Sequence, residues 1–209
     1  MPHPSPAWRA LDPEDLSGRE RYQLLTSLVV PRPIGWVSSW SAPGVRNLAP
    51  FSYFAALAAS PMLVGLSVGQ RRGGPKDTLL NIRERGAFCV NVVSESLLEA
   101  MNATSAEVGR EEDEFDLAHL TSGVSDRVDA PYVLEAPAVL ECRMTQEVAL
   151  DGSPNTLIIG RVVGVLVRPD IPMMEGTLSV DPDVLRPVGR LWGAAYAMPG
   201  EVRRLPRPS

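Results

Sequence analysis

Residues 31–91 read PRPIGWVSSWSAPGVRNLAPFSYFAALAASPMLVGLSVGQRRGGPKDTLLNIRERGAFCVN. Pro31 and Pro33 forbid a helix and hold the chain extended. Ile34–Ser39 carries β-branched and aromatic residues up to the turn signal Ser41-Ala42-Pro43-Gly44, and Val45–Leu48 returns as its partner strand. Pro50 lacks the amide that a central ladder needs, so Ala49–Phe54 is expected to leave the sheet as a loop. Met62–Val68 is a continuous apolar strand. The Gly-rich turn Gly69–Pro75 follows. Asp77–Arg85 reads as a helix with apolar Leu79, Leu80 and Ile82, stopped by Gly86. Ala87–Val93 is a further strand.

Outward from this stretch, residues 1–19 are polar and Pro-rich and read as an arm, with a short helix around Leu11–Ser17. Tyr22–Leu25 leads into Leu28-Val29-Val30. Leu97–Ala103 is helical, and the acidic run Glu111–Asp116 follows it. Ala138–Val148 and Thr156–Val167 are long and β-rich, a pair joined by the turn Asp151-Gly152-Ser153-Pro154. Leu185–Ala197 closes the chain. No repeat or linker divides residues 20–200, which are expected to form one domain with 201–209 as a tail. Regular βαβ alternation and GxGxxG are both missing. Six or seven β segments with short inserted helices therefore predict a mainly β fold, an antiparallel barrel rather than a doubly wound sheet.

Composition narrows the function. The 209 residues are 44% hydrophobic and 22% charged, with a net charge of −5, which disfavours a general nucleic-acid binder. Arg71, Arg72 and Lys76 form a local basic cluster that, by charge alone, is a solvated turn. Cys89 and Cys142 each sit in an apolar stretch and read as free buried thiols. The start, MPHPSPAWRA, lacks the apolar core of a signal peptide, and no apolar run is long enough for a membrane span. The expected location is the cytoplasm, with no membrane or nucleic-acid partner. His3 and His119 are the only histidines, too few for a His-based zinc site and without a nucleophile motif nearby.

The chemistry gathers at residues 47–54 and 67–81. Gly69, Gly73 and Gly74 let backbone amides approach a ligand, and Lys76 supplies a point charge. Asp77 or Thr78 can cap the helix, whose first amides stay open to an anion. This is a phosphate cradle, although most Gly-rich turns before helices are only turns. Asn47–Phe54 adds amide and hydroxyl groups beside apolar surface, which suits a flat, amphipathic, phosphorylated ligand such as a flavin. Taken alone, Phe51 and Phe54 read more often as core than as cofactor contacts, and Asn47 as a turn residue.

The order RPIxWVSS, NLAPFSYF, SPMLVGLSVG, KDTLLNI, FCVNVV resembles the flavin reductase-like, FMN-binding split-barrel proteins, which include flavoredoxins and the reductase components of two-component monooxygenases. Glu99–Ser105 with Asp113–Phe115, Ala136–Cys142, Ile159–Val162 and Pro187–Tyr196 extend the similarity over roughly residues 20–200. The resemblance implies an antiparallel Greek-key split β-barrel with a few peripheral helices, binding FMN, or FAD, at a homodimer interface. It places Asn47, Leu48, Ala49, Pro50 and Ser52 along the isoalloxazine and ribityl chain, with Ser38 and Ser39 at the neighbouring strand end. Ser67, Lys76, Asp77 and Thr78 hold the ribityl and phosphate end. Trp192 and Tyr196 cover the flavin from the tail. The apolar tail Leu185–Met198 suits a neighbouring chain or an intrachain closing segment.

One departure matters. NADH-using members often carry a histidine in a GDHxxxxGxV pattern, and here Asn155 stands in its place. Asparagine can hydrogen-bond a carboxamide as a nicotinamide contact but cannot transfer a proton near neutral pH. The leading expectation is an oxidoreductase passing reducing equivalents from NADH or NADPH through FMN to free flavin, oxygen or a partner monooxygenase or redox protein. The alternatives are a flavoredoxin-like electron carrier without its own nicotinamide site, and a non-redox binding barrel. No catalytic residue is assigned. Arg32 and Arg46 are candidates for stabilising reduced flavin, or are surface charges.

Overall fold

The computed structural model describes residues 8–71 and 74–205. His3, Arg72 and Gly73, and the residues of the arm and tail beyond those limits, lie outside them. Seven strands form one antiparallel sheet: β1 (Gly35–Trp40), β2 (Arg46–Phe51), β3 (Phe54–Ala59), β4 (Met62–Val68), β5 (Ala87–Asn91), β6 (Ala138–Ala149) and β7 (Thr156–Val167). Their order is β2-β1-β5-β6-β7-β4-β3. The run β5-β6-β7 with β4 returning beside β7 is a Greek key. The two edge strands are joined by Ser52-Tyr53 alone, so the sheet curls until its edges meet at that corner. There the Ser67 N–H donates to the Tyr53 carbonyl at 2.9 Å.

Alternation along the strands divides the apolar residues between two cores. Val37, Leu66, Phe88 and Ile158 fill the barrel interior, plugged by Leu79 and Ile82 of helix α2 (Asp77–Arg85). Trp36, Leu48, Cys89, Met101 and Phe115 form a second core outside the wall. This outer core is roofed by the short helices α3 (Leu98–Ala103) and α4 (Glu114–Leu117). Gly160 leaves room for the Phe88 ring, since a Cβ there would lie 2.5 Å from Phe88 Cζ. Gly86 ends α2 at φ 65°, as its sequence position predicts.

Cys89 lies opposite Glu141, and Cys142 opposite Phe88, so the two thiols are on opposite faces of the sheet. They are free, as expected. Burial pushes both pKa values up, that of Cys142 to about 12.

The Ala49–Phe54 loop is corrected. Pro50 does not begin a loop: it sits in β2 opposite Trp36, on an edge strand where a missing amide breaks no ladder. Of the expected Ala49–Phe54 loop only Ser52 and Tyr53 lie outside strands, since Phe54 already opens β3. The short leading helix expected around Leu11–Ser17 is a 3-10 turn at Pro13–Asp15, and a longer helix, α1 (Gly18–Leu28), follows it, started by a reciprocal Ser17–Glu20 capping box. Only Thr26 of α1 is buried. The closing segment pairs Gly189–Arg190 with Arg32–Pro33 on one side and Tyr196–Ala197 on the other. No helix among the described residues is long and apolar enough to cross a membrane.

Candidate functional site

The start of α2 faces the end of β2 across a cavity of ≈ 90 Å³, lined by Asn47, Ala49, Pro50, Lys76, Asp77 and Thr78. Arg71, Glu114 and the segment Thr104–Val108 complete its wall. Lys76 is the N-cap of α2 and makes no side-chain capping bond, so neither Asp77 nor Thr78 is the cap. Both are freed for other work. Asp77 accepts from Arg71 at 2.5 Å, which neutralises the carboxylate nearest the helix start. The Thr78 hydroxyl donates to Asn47 Oδ1 at 2.8 Å.

Lys76 is the chain's only lysine. Its Nζ stands 5.4 Å from the Phe51 ring centroid and, among the described residues, forms no ion pair. The α2 amides of Asp77 and Thr78 meet no acceptor among the described residues. A cation and the first amides of a nine-residue helix thus converge on one cavity, the donor set that an ester phosphate needs.

Behind the cavity lies a buried polar network. Asn47 Oδ1 also accepts from Ser39 Oγ at 3.3 Å, and Ser39 Oγ accepts from Asn81 Nδ2 at 3.2 Å. Asn47 Nδ2 donates to Glu114 Oε1 at 3.0 Å, and the Leu48 N–H donates to Glu114 Oε2 at 3.1 Å. Glu114 is only 7% exposed. Burial raises its pKa to about 7, against three hydrogen bonds, from the Leu48 and Glu114 backbone and the Asn47 side chain, that favour its ionised form; the neighbouring Asp113 adds to the rise.

The sequence-predicted residues separate into groups. Asn47, Ala49, Pro50, Lys76, Asp77 and Thr78 share the cavity. Ser38, Ser39 and Leu48 are fully buried. Ser38 Oγ donates to the Pro131 carbonyl at 2.6 Å, and Ser39 serves the network behind Asn47. These three support the wall rather than line it. Ser52 and Ser67 lie on a different, apolar groove with Tyr53, Leu57 and Leu157. The reason is strand parity: Val64, Leu66 and Val68 point into the barrel, so Ser67 points out.

Asn155 is at that second groove's side too, donating to Ser67 Oγ at 3.1 Å, away from Lys76. Trp192 is 55% exposed and outside the cavity. The Tyr196 hydroxyl accepts from Arg190 and donates to Asn102 Oδ1 at 3.0 Å, two residues before the Thr104 wall. Arg32 and Arg46 are both committed elsewhere. Arg32 donates to the carbonyls of Thr26, Val29 and Leu191, and Arg46 pairs with Asp113 at 2.5 Å and Asp116 at 2.8 Å. The cations that line the cavity are Arg71 and Lys76. Sequence reading missed Glu114 as part of this site.

The profile of the Flavin reductase like domain matches residues 27–178. The chain belongs to this family. Among solved structures, the flavin reductase-like chain is 36% identical to nitrilotriacetate monooxygenase component B from Bacillus cereus, with TM-score 0.91 over 96% of this chain and 100% of that one. It is 30% identical to the Pseudomonas fluorescens 2-nitrobenzoate 2-nitroreductase NbaA, with TM-score 0.86 over 96% of each chain. It is 25% identical to a Shewanella frigidimarina protein described as having a flavin reductase split barrel domain, with TM-score 0.81 over 93% of this chain and 96% of that one. The flavin reductase-like split barrel is therefore its fold.

Proposed function

We propose that this flavin reductase-like chain is an FMN-binding oxidoreductase that passes reducing equivalents from NADH or NADPH to free flavin, oxygen or a partner protein. The observation that carries this reading is the convergence of Lys76 and the α2 amides on the cavity bordered by Asn47, Ala49 and Pro50. Lys76 and the amides of Asp77 and Thr78 would hold the phosphate. Arg71 keeps the Asp77 carboxylate from opposing it. Asn47 and the β2 backbone would meet the polar edge of the ring, and Ala49 and Pro50 its apolar surface. FMN, when bound, supplies hydride acceptance and electron release; the chain supplies position, charge and exclusion of water. FAD would place its additional nucleotide outside this cavity.

The enclosed ≈ 90 Å³ suits the phosphate end of the ligand but is smaller than the ~300–1,000 Å³ of a complete small-molecule site. A second copy would supply the missing cover. The exposed apolar surface favours a homodimer: Ala55–Ala59 of β3 are all exposed, and Leu57, Val29 and Tyr53 share one groove beside exposed Leu25 and Leu28 of α1. On this reading Leu57→Asp converts the dimer to a monomer in light scattering and weakens flavin binding, while the barrel's circular dichroism is retained. A Leu57→Asp dimer as tight as the wild type would exclude this face as the interface.

One observation favours the carrier alternative. Asn155, the expected nicotinamide contact, is tied to Ser67 rather than directed to the Lys76 cavity. The test for both is the absorbance spectrum of the purified chain with FMN under anaerobic conditions. Flavin bands bleached by NADH or NADPH establish the reductase reading. Bands that persist until dithionite is added leave a carrier reduced by a partner, such as a monooxygenase system. A chain that takes up no FMN refutes both and leaves a non-redox barrel.

A further inference from the structure

We propose that Glu114 is a positioning residue that fixes the side-chain amide of Asn47 as a hydrogen-bond donor toward the ligand, and that this hold depends on its ionisation. The inference rests on the flavin-binding reading above and concerns how that site is set.

The geometry is a chain of committed atoms. Asn47 Oδ1 already accepts two hydroxyl donors, from Thr78 at 2.8 Å and Ser39 at 3.3 Å. One hydrogen of Nδ2 is held by Glu114 Oε1 at 3.0 Å. An amide nitrogen has two hydrogens, so one remains for the cavity that Asn47 lines, while the oxygen is fully used. The site therefore offers an N–H to an acceptor on the ligand, such as a ring carbonyl or ring nitrogen. Glu114 Oε2 also accepts the Leu48 N–H at 3.1 Å, which pins the backbone beside the same wall.

An ionised carboxylate accepts at both oxygens and satisfies both donors. A protonated carboxyl carries a donor on one oxygen, which competes with Asn47 or Leu48 for direction. The amide of Asn47 is then free to turn its oxygen toward the cavity. The carboxyl's raised pKa, about 7, puts this change in the range of ordinary working pH.

Other charges around Glu114 are few in kind. On its own helix and cap are Asp113 and Asp116, both paired with Arg46 from β2. Glu112 and Arg110 of the preceding loop border the same space. Arg110 is drawn to Glu84 at 3.2 Å. Across the cavity stand Asp77, paired with Arg71, together with Lys76 and Glu107. His119 is exposed, two residues past the end of α4.

Glu114→Gln tests the idea, because glutamine copies the protonated carboxyl, with one acceptor and one donor. FMN affinity is measured by flavin fluorescence for wild type and variant at pH 6, 7 and 8. The ratio of the two dissociation constants cancels the titration of the FMN phosphate. The expected ratio is near one at pH 6 and rises to about tenfold in favour of the wild type at pH 8, the size of one charged hydrogen bond. A ratio that stays constant with pH overturns the proposal and leaves Glu114 structural. Calorimetry of the wild type adds a test that needs no variant. At pH 7.5 the FMN phosphate is already doubly ionised. Titrations in two buffers of different ionisation enthalpy should then show a net release of protons on FMN binding, since binding favours the ionised carboxylate. Zero release or proton uptake overturns it. A wild type that binds no FMN at any pH instead refutes the flavin reading itself.

Discussion

Lys76→Ala weakens FMN binding roughly tenfold to a hundredfold, with little change in melting temperature. The ammonium has no ion-pair partner among the described residues, so its charge is available to the ligand. A charge-assisted hydrogen bond contributes about 1.5–3 kcal/mol, and every ~1.4 kcal/mol is a factor of ten in affinity. Its contact with Phe51, at 5.4 Å, contributes only about 0.5–1 kcal/mol because Lys76 is half-exposed, which is why folding is spared. Adding Thr78→Ala deepens the loss, since the Thr78 hydroxyl is one of two donors that hold Asn47 Oδ1. Flavin fluorescence titration reads both effects. An unchanged dissociation constant in the double variant would remove the phosphate from the start of α2.

Arg32→Ala destabilises the fold by about 3–5 kcal/mol, without altering any cavity residue. The side chain is 6% exposed, and its guanidinium spans three parts of the chain. It donates to Thr26 O at 2.7 Å and Val29 O at 3.1 Å at the end of α1, and to Leu191 O at 2.8 Å in the closing segment. A fourth bond reaches Ser52 Oγ at 3.4 Å, at the corner where the barrel closes. Truncation leaves the buried Thr26 carbonyl unsatisfied, at about 1–3 kcal/mol, and strips the part-buried carbonyls of Val29 and Leu191 of a charged donor, at a smaller cost each. Lysine restores only part of the stability, because a compact ammonium on a flexible stem does not reproduce the planar fork. Urea unfolding of the three proteins gives the comparison. A loss under ~1 kcal/mol in the alanine variant would show that α1 and the closing segment are held by something else.

The parts of the fold legible in the sequence were those whose residues carry their own signal. Gly86 ended α2 as its type predicts, and the long β6–β7 hairpin announced itself by β-branched runs around Asp151–Pro154. Strand β3 was hidden because Phe54–Ala59 is alanine-rich and lacks polar alternation; its outward face is open. Helix α1 has a clear capping box at Ser17 and Glu20 but buries almost nothing, so no apolar stripe marked it. The local half of the cavity, Asn47 to Pro50 and Lys76 to Thr78, was readable because its residues are close in sequence. Glu114 was not, since it meets Asn47 across 67 positions and only the fold brings them together. The outward aim of Ser67 follows from the alternation of β4, which sets it on the apolar groove with Leu57 and Leu157.

A chain with nineteen arginines and a single lysine has, apart from its leading amine, one side-chain address for acylation, glycation or any other amine-directed modification. That address lines the cavity at the start of α2. Guanidinium groups supply the rest of the side-chain cations, while the one side-chain primary amine stands beside the first amides of α2. On the phosphate reading proposed above, a bound anion and an acyl cap compete for the same nitrogen.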